Sequence, residues 1–273
     1  MSRIIAIANQ KGGVGKTTTA INLGASLAVA EKRTLIIDID PQANATSGVG
    51  VKKDQVESSI YDVLVDDVPL GEVVLPRVHF PFLDIAPATR DLVGVEVELV
   101  RRRGRETLLR DALAPVRDAY DYILIDAPPS LGMLTLNTLA AADTVLIPIQ
   151  CEFYALEGLS QLLNTVRIVQ KNLNPALQIE GVLLTMFDSR LNLSRQVAEE
   201  AKEYFGPKVY ETTIPRNVRI AEAPSFGEPI VLYDILSSGA KSYLALAQEV
   251  IARGGAERIG GELPLASSAG GES

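Results

Sequence analysis

The fold is decided by the stretch RIIAIANQKGGVGKTT, residues 3–18. Residues 3–8 form an isoleucine-rich apolar run, which predicts a buried strand. A glycine-rich loop follows this run, and residues 16–30 carry apolar side chains at helical spacing. A strand, a glycine loop and a helix in this order bring backbone N–H groups and a helix N-terminus together, which predicts an anion-binding loop.

Strand and helix patterns alternate along the rest of the chain. The predicted strands cover residues 3–8, 34–39, 82–86, 122–126, 144–149 and 178–186. The predicted helices cover residues 16–30, 59–65, 106–119, 133–141, 156–170, 193–205 and 239–252. Such alternation is typical of an α/β fold, so we expect a mostly parallel twisted sheet flanked by helices on both faces. A single domain is expected over residues 1–253, followed by a flexible Gly/Ser-rich tail over residues 254–273.

The composition excludes several classes of protein. The chain has 273 residues and a formal net charge of −8, which argues against binding nucleic acid with the whole surface but allows a local basic patch. Cys151 is the only cysteine, so the chain forms no internal disulfide and supplies too few thiolates for an iron–sulfur cluster. No apolar run approaches the length of a membrane span and no secretory signal is visible, so we expect a cytoplasmic protein.

The glycine loop has the residue spacing of a phosphate cradle. Gly12, Gly13 and Gly15 allow backbone angles that turn amide groups inward. Lys16 is placed to reach the terminal phosphates of a nucleotide, and the Thr17 hydroxyl is placed to ligate magnesium. We therefore predict a P-loop NTPase fold with ATP and Mg2+ as cofactors. The predicted nucleotide-binding residues of the loop are Lys11, Gly12, Gly13, Val14, Gly15, Lys16, Thr17 and Thr18.

A second lysine, Lys11, opens the loop and departs from the common P-loop pattern. Its charge leaves two alternatives open. Lys11 is either a solvated surface residue, or a group that reaches a phosphate in a neighbouring subunit and stabilises the transition state of phosphoryl transfer.

Carboxylates follow two of the predicted strands. Asp126 ends the strand at residues 122–126, and ligands of open α/β sheets bind at the carboxyl ends of strands, so we expect Asp126 to meet magnesium through a water. Asp38 and Asp40 end an earlier strand. Asp40 is the candidate for orienting the attacking water, and Asp38 is the alternative, better suited to a structural or metal-shell role. The predicted catalytic residues are thus Lys11, Lys16 and Asp40, and the predicted metal ligands are Thr17 and Asp126.

Two further features are expected to be structural. His79, the only histidine, lies in a proline-flanked loop with no visible partner, which predicts a surface role. The helix predicted over residues 239–252 has an apolar face that includes Tyr243 and Val250. Docking on a membrane would require a basic polar face, so we expect this helix to pack in the core.

Several motifs resemble those of the ParA/MinD group of ATPases. KGGVGKTT at residues 11–18 resembles their deviant Walker A motif, DIDPQAN at residues 38–44 their second motif, and ILIDAPPS at residues 123–130 their Walker B region. CEFYALEG at residues 151–158 and IPRNVRIAEAP at residues 214–224 resemble the chromosomal ParA, or Soj-like, branch. The resemblance covers nearly the whole chain and its motifs are specific in combination.

The resemblance implies an ATPase that forms a homodimer around two sandwiched ATP molecules. It implies that Lys11 reaches the partner's nucleotide, that Gly12 lies at the dimer contact and that Asp40 acts in hydrolysis. Pro215 and Asn217 match positions that contact the adenine end. In this family the ATP dimer binds double-stranded DNA without sequence preference, and a ParB-type centromere-binding protein stimulates the slow hydrolysis that releases it. A nucleoid-associated location follows.

Two arginines, Arg190 and Arg219, match the DNA-contacting arginines of the family. Acidic residues are interspersed around them, so a monomer is expected to bind DNA poorly. Two copies side by side would pool their arginines into one patch that contacts phosphates, with a steep salt dependence. The alternative is that both are ordinary solvated arginines.

Rival functions remain at this point. A MinD-like ATPase would bind membranes through its C-terminus, but no stable membrane binding is expected here. A nucleotide-gated scaffold would use ATP only as a clamp for a protein cargo. An iron–sulfur reductase relative is disfavoured by the lone Cys151, and no acceptor-binding motif supports a small-molecule kinase.

Overall fold

A computed structural model of the chain describes residues 2–152 and 157–257. Six parallel strands form one sheet with the spatial order β3-β2-β4-β1-β5-β6. The strands are β1 (Arg3–Ile7), β2 (Thr34–Asp38), β3 (Leu83–Ala86), β4 (Tyr122–Asp126), β5 (Thr144–Gln150) and β6 (Gln178–Thr185). This confirms the predicted fold class, and each observed strand lies within one residue of its prediction at both ends.

Helices cover both faces of the sheet because its strands are apolar on both sides. In β1, Ile4 and Ala6 face one core, while Ile5 and Ile7 face the other. The helices are α1 (Lys16–Val29), α2 (Asn44–Gly48), α3 (Ile60–Val65), α4 (Leu70–Val73), α5 (Val95–Glu98), α6 (Leu108–Leu113), α7 (Met133–Ala141), α8 (Glu157–Asn172), α9 (Asn192–Phe205), α10 (Val218–Glu222), α11 (Ile230–Tyr233) and α12 (Ser238–Glu257). Helices α3 to α9 pack on the first face, and α1, α2 and α10 to α12 on the second.

Helix α12 packs in the core, as predicted. Tyr243 and Val250 are buried against α1 and the sheet, and the Arg3 side chain donates a hydrogen bond to the Val250 carbonyl at 3.0 Å. The helix continues to Glu257, so residues 254–257 are helical rather than part of a flexible tail. The remainder of the predicted tail, residues 258–273, lies outside the described residues. Within the described parts of the chain, no helix combines the length and the apolar character needed to cross a bilayer.

Other differences from the sequence-based expectations have local causes. The single helix predicted over residues 106–119 was wrong, because α6 ends at Leu113 and a separate 3-10 turn covers Arg117–Ala119. Pro115 lies between them, and proline lacks the N–H that a continuous helix needs. Residues 153–156, which include the predicted start of the helix at residue 156, lie outside the described residues.

The carboxyl ends of β1, β2 and β4 meet at one edge of the sheet. Asp126 is aligned with Ile7 on one side and with Asp38 on the other. Because all six strands are parallel, the loop that follows β1 and the acids that end β2 and β4 share this edge.

Candidate nucleotide-binding site

The loop between β1 and α1 leaves its amide groups available to an anion. Gly13 and Gly15 have φ angles of +74° and +87°, which side chains rarely tolerate. The first helical N–H bond of α1 runs from Thr19 to the Gly15 carbonyl, and no described side chain caps the helix. The N–H groups of its first turn therefore have no intrahelical acceptor. A Cβ added to Gly12 would meet no atom within 4 Å, so the outer side of the loop is open.

Lys16 places its ammonium group between the loop and the acids of the neighbouring strands. The residue is 7% exposed, and its Nζ donates to the Lys11 carbonyl at 3.1 Å. Burial lowers the pKa of Lys16, while the charges of Asp126 and Asp40 act in the opposite direction. Lys16 is thus held within electrostatic reach of both predicted acids.

Asp126 is a buried carboxylate without a hydrogen-bond donor. It is 0% exposed, and neither carboxylate oxygen has a hydrogen-bond partner among the described residues. Burial raises its pKa well above the usual value, the nearby Asp38 raises it further, and the Thr17 hydroxyl and Lys16 oppose this. A buried charge requires compensation, so an unpaired carboxylate beside a threonine hydroxyl fits a divalent cation. These residues therefore suit Mg2+.

Both carboxylate oxygens of Asp38, by contrast, accept hydrogen bonds from the protein. Its Oδ2 accepts hydrogen bonds from the backbone N–H and the hydroxyl of Thr46, at 2.8 and 2.7 Å, and its Oδ1 accepts from the Asp40 N–H at 3.2 Å. Burial raises the pKa of Asp38 to about 6, and the two Thr46 bonds limit that rise. Of the structural and metal-shell roles predicted for Asp38, these hydrogen bonds favour the structural role.

Asp40 sits in a tight turn just beyond β2. The residue is 7% exposed, and its Oδ1 accepts a hydrogen bond from the Gln42 N–H at 2.8 Å. Its carbonyl accepts from the Ala43 N–H at 2.8 Å, and Ala43 has a φ of +51°, which is uncommon for a residue with a Cβ. The turn thus fixes the position of the Asp40 carboxylate near Lys16.

Two positioning residues, Asn9 and Thr185, were missed by the sequence analysis. The Asn9 side chain donates to the Pro148 carbonyl at 2.7 Å and accepts from the Lys11 N–H at 3.0 Å. The Thr185 hydroxyl lies 2.9 Å from the Val14 carbonyl and 3.2 Å from that of Ile149. Both side chains therefore fasten the loop to the end of β5. Neither carries a recognisable motif, and Thr185 is 171 residues from Val14 in the chain.

The structure places Pro215 and Asn217 beyond β6, on the same edge of the sheet as the loop. Pro215 forms a parallel bridge with Phe187, two residues after Thr185. The Asn217 side chain caps α10 by accepting from the Ile220 N–H at 3.3 Å, and it donates to the Ser238 hydroxyl at 2.8 Å. Asn217 thus organises this segment, and its predicted contact with adenine stays a prediction.

Arg190 and Arg219 are exposed, and both are ion-paired. Arg190 donates to both carboxylate oxygens of Asp188, at 2.9 and 2.7 Å, and these bonds hold the pKa of Asp188 at about 2. Arg219 pairs with Glu222 at 3.1 Å and with Asp234 at 3.6 Å. Exposed pairs of this kind are weak, so either arginine is able to exchange a carboxylate for a phosphate.

Cys151 and His79 take no part in the phosphate site. Cys151 is buried, which raises the pKa of its thiol to about 11. His79 is exposed, as predicted, yet it does have partners: its Nε2 lies 3.0 Å from the Val49 carbonyl and 2.8 Å from the Gly227 carbonyl. It therefore joins loops that are distant in sequence.

Comparisons with known proteins agree with this geometry. A family described as an AAA domain matches residues 2–179. The chain is 61% identical over 254 residues to the sporulation initiation inhibitor protein Soj of Bacillus subtilis, covering 93% of this chain and 100% of Soj. It is 60% identical over 253 residues to the chromosome partitioning protein ParA of Myxococcus xanthus, covering 93% of this chain and 89% of that protein.

The fold is shared with a solved structure that contains nucleotide and magnesium. This is cobyrinic acid a,c-diamide synthase from Mycobacterium smegmatis with ADP and magnesium, which is 37% identical with a TM-score of 0.82 and covers 94% of this chain and 97% of that one. The same synthase is also solved with an ATP analogue and magnesium. These ligands match the anion loop and the unpaired Asp126 carboxylate described above.

Proposed function

Because this chain belongs to the ParA/Soj family of chromosome-partitioning ATPases, which use ATP and Mg2+, we propose that its ATP-bound homodimer binds double-stranded DNA without sequence preference. In this proposal a ParB-type centromere-binding protein stimulates slow ATP hydrolysis and thereby releases the dimer from DNA. The protein would then act in the cytoplasm, associated with the nucleoid.

One observation carries the ATPase chemistry of this proposal. The open N-terminus of α1, which attracts anions, lies beside the unpaired carboxylate of Asp126, which attracts a cation. A site that needs both charges at once fits the magnesium salt of a triphosphate. Lys16 lies between the two and supplies a further positive charge.

Each side chain of the site has a task in phosphoryl transfer. The loop amides and Lys16 bind and orient the phosphates, and Thr17 and Asp126 would hold Mg2+, the latter through a water. When bound, Mg2+ neutralises charge that develops on the phosphate oxygens. Asp40, fixed by its turn, would orient the attacking water. Lys11 begins at the half-buried rim of the loop, from which it would reach the nucleotide of the second copy.

Local arginine contacts, rather than the net charge, would have to carry binding to DNA. The chain carries a net charge of −8, so a single copy is repelled by DNA at long range. Arg190 and Arg219 are both exposed, and pairing two copies would double the number of phosphate contacts. ATP-dependent dimerisation would thus switch DNA binding on.

The proposal is tested by co-sedimentation of the full chain with DNA in ATP, in ADP and without nucleotide. Asp40→Ala is expected to dimerise and bind DNA with ATP but to hydrolyse it at a negligible rate, because the attacking water is no longer oriented. Lys16→Ala is expected to lose ATP binding and hence both later steps. Glu203→Ala, which removes an exposed acid from α9 outside the site, is the control for Asp40. Normal turnover by Asp40→Ala would remove that residue from its role.

Two other functions are less well supported. A function that depends on a nucleophilic cysteine needs an accessible thiolate. Cys151 is the only cysteine in the sequence, it is buried, and its pKa of about 11 keeps it protonated. A membrane-positioning ATPase would need a free amphipathic C-terminal helix, whereas the apolar face of α12 is packed against α1.

A further inference from the structure

Three apolar side chains are exposed in a row on one surface of the protein. Val93, Val97 and Val100 are 66%, 75% and 59% exposed. They lie on one side of the stretch that contains α5 and the two 3-10 turns beside it, and we name them the valine stripe. The opposite side of this stretch is buried in the core through Leu92, Val95 and Leu99. The stripe is therefore a rigidly presented apolar surface rather than part of a loose loop.

Charged side chains of both signs surround the valine stripe. The guanidinium groups of Arg90, Arg101 and Arg103 are exposed, and none has a partner among the residues that the structure describes. The acids of the same stretch are Asp91, Glu96 and Glu98. Three bases and three acids flank the valines, so a second copy of the same surface offers carboxylates to the unpaired arginines as well as valines to the valines.

The valine stripe is mechanically connected to the phosphate site through Glu96. Its Oε1 accepts a hydrogen bond at 3.1 Å from the N–H of Met133, the first residue of α7. The same oxygen lies close to Gly132, where a Cβ would require the Glu96 side chain to move. The loop of residues 127–132 links this contact to Asp126. The valine stripe therefore lies on a segment that contacts the loop following Asp126.

We propose that the valine stripe forms part of the contact between two copies of this chain in the ATP-bound state. This inference rests on the proposed ATP-dependent dimer and assigns it a surface. A nucleic acid would match the three arginines but would leave the valines exposed, and the three acids would repel its phosphates. A second copy satisfies all three groups, because valine meets valine while the unpaired arginines meet carboxylates.

The experiment measures the mass of the full chain by analytical ultracentrifugation with a non-hydrolysable ATP analogue and Mg2+. Val97→Asp places two buried charges in each symmetric dimer, so the dimer dissociation constant should rise at least roughly tenfold. At protein concentrations low enough to keep both chains monomeric, affinity for a fluorescent ATP analogue should be the same for Val97→Asp and the wild type, since Val97 lies outside the phosphate site. Ile168→Asp is the matched control, because Ile168 is 50% exposed on α8 and should leave dimerisation intact.

The possible outcomes are distinct. If the wild-type chain stays monomeric with the analogue, the proposed dimer itself fails. If the wild type and Val97→Asp dimerise equally, the dimer stands and the valine stripe is excluded from it. Should Val97→Asp fail to fold, the triple variant Val93→Ser, Val97→Ser, Val100→Ser removes the apolar area without adding charge. Undiminished dimerisation of that variant would equally overturn the inference.

Discussion

Asp38 and Asp126 are aligned across the neighbouring strands β2 and β4, both fully buried, yet only Asp38 has hydrogen-bond donors. Two chemically identical side chains at the same edge of the sheet therefore have opposite roles. Thr46 and the Asp40 N–H satisfy Asp38 within the protein. The oxygens of Asp126 stay available to a cation. Substitutions at Asp126 should therefore affect ATP hydrolysis, and substitutions around Asp38 should affect the free energy of unfolding.

Replacing Asp126 should abolish function without destabilising the nucleotide-free protein. Asp126→Ala removes a buried carboxylate that lacks donors, so the free energy of unfolding should stay equal or rise by about 1–3 kcal/mol. Mg2+-dependent ATP hydrolysis should disappear. Urea denaturation and a phosphate-release assay measure the two effects. Asp143→Ala is the control that should destabilise, because Asp143 accepts from Arg117 and from the Ile4 N–H. A clear loss of stability in Asp126→Ala would contradict the assignment.

Replacing Thr46 should destabilise the protein in a pH-dependent way. Thr46→Val removes the hydroxyl that donates to Asp38 and accepts from the Ala88 N–H, at an expected cost of about 2–4 kcal/mol. The folded pKa of Asp38, about 6, already exceeds its ordinary value of 3.8, so the native state binds more protons between these pH values. This group's contribution to stability therefore falls as pH rises from 3.8 to about 6.

Losing the hydroxyl bond, while the backbone N–H of residue 46 still donates, raises the pKa of Asp38 further. The variant should therefore lose more stability at pH 7 than at pH 5. Urea titrations at both values measure this difference. Thr138→Val is the matched control, since its buried hydroxyl donates only to the Leu134 carbonyl within α7. An equal loss of unfolding free energy at the two pH values would show that the Thr46 hydroxyl does not affect the pKa of Asp38.

Thr185→Val should weaken nucleotide binding while the fold is retained. The substitution keeps the shape of the side chain and removes the hydroxyl that fastens Val14 to the end of β5. One neutral hydrogen bond is worth about 1 kcal/mol, so the dissociation constant for ATP should rise roughly fivefold. Isothermal titration calorimetry measures it, and Thr165→Val on α8 serves as the control. Unchanged ATP affinity would show that the Thr185 hydroxyl does not support nucleotide binding.

The arginine substitutions should change the salt dependence of DNA binding. Arg190→Ala and Arg219→Ala each remove one phosphate contact per copy, so the slope of log K against log salt should become shallower by about 1.8 per dimer. ATP-dependent dimerisation should be unaffected. Arg167→Ala on α8 removes an exposed arginine from another surface and should leave the slope unchanged. Fluorescence anisotropy at several salt concentrations gives these slopes, and identical slopes for all variants would exclude Arg190 and Arg219.

The thiol of Cys151 should resist alkylation in the folded protein. Only the thiolate reacts, and a pKa of about 11 in place of the ordinary 9.0 lowers the thiolate fraction at pH 8 about 100-fold. Iodoacetamide labelling followed by mass spectrometry compares the native chain with the chain in urea, which provides the unprotected reference. The native rate should climb tenfold per pH unit up to about pH 11. Equal rates in the two states would show that Cys151 is accessible.

The sequence alone determined the strand–loop–helix unit, the ATP and Mg2+ site and the class of fold. These features depend on neighbours in the chain: glycines at fixed spacing, apolar residues that recur with the helical or strand period, and an acid at the end of a buried strand. Asp126 was predicted as a metal ligand in this way, because a carboxylate that ends an apolar strand lies at the ligand edge of a parallel sheet.

Only the tertiary structure decided which groups are free and which are occupied. Asp38 and Asp126 look equivalent in the sequence. They differ because the Thr46 hydroxyl donates to Asp38, whereas Asp126 has the Thr17 hydroxyl nearby but no hydrogen-bond partner in geometry among the described residues. Thr185 supports the phosphate loop from a segment that folding alone brings close. Hydrogen bonds and burial depend on contacts between distant parts of the chain, which local patterns of residues do not record.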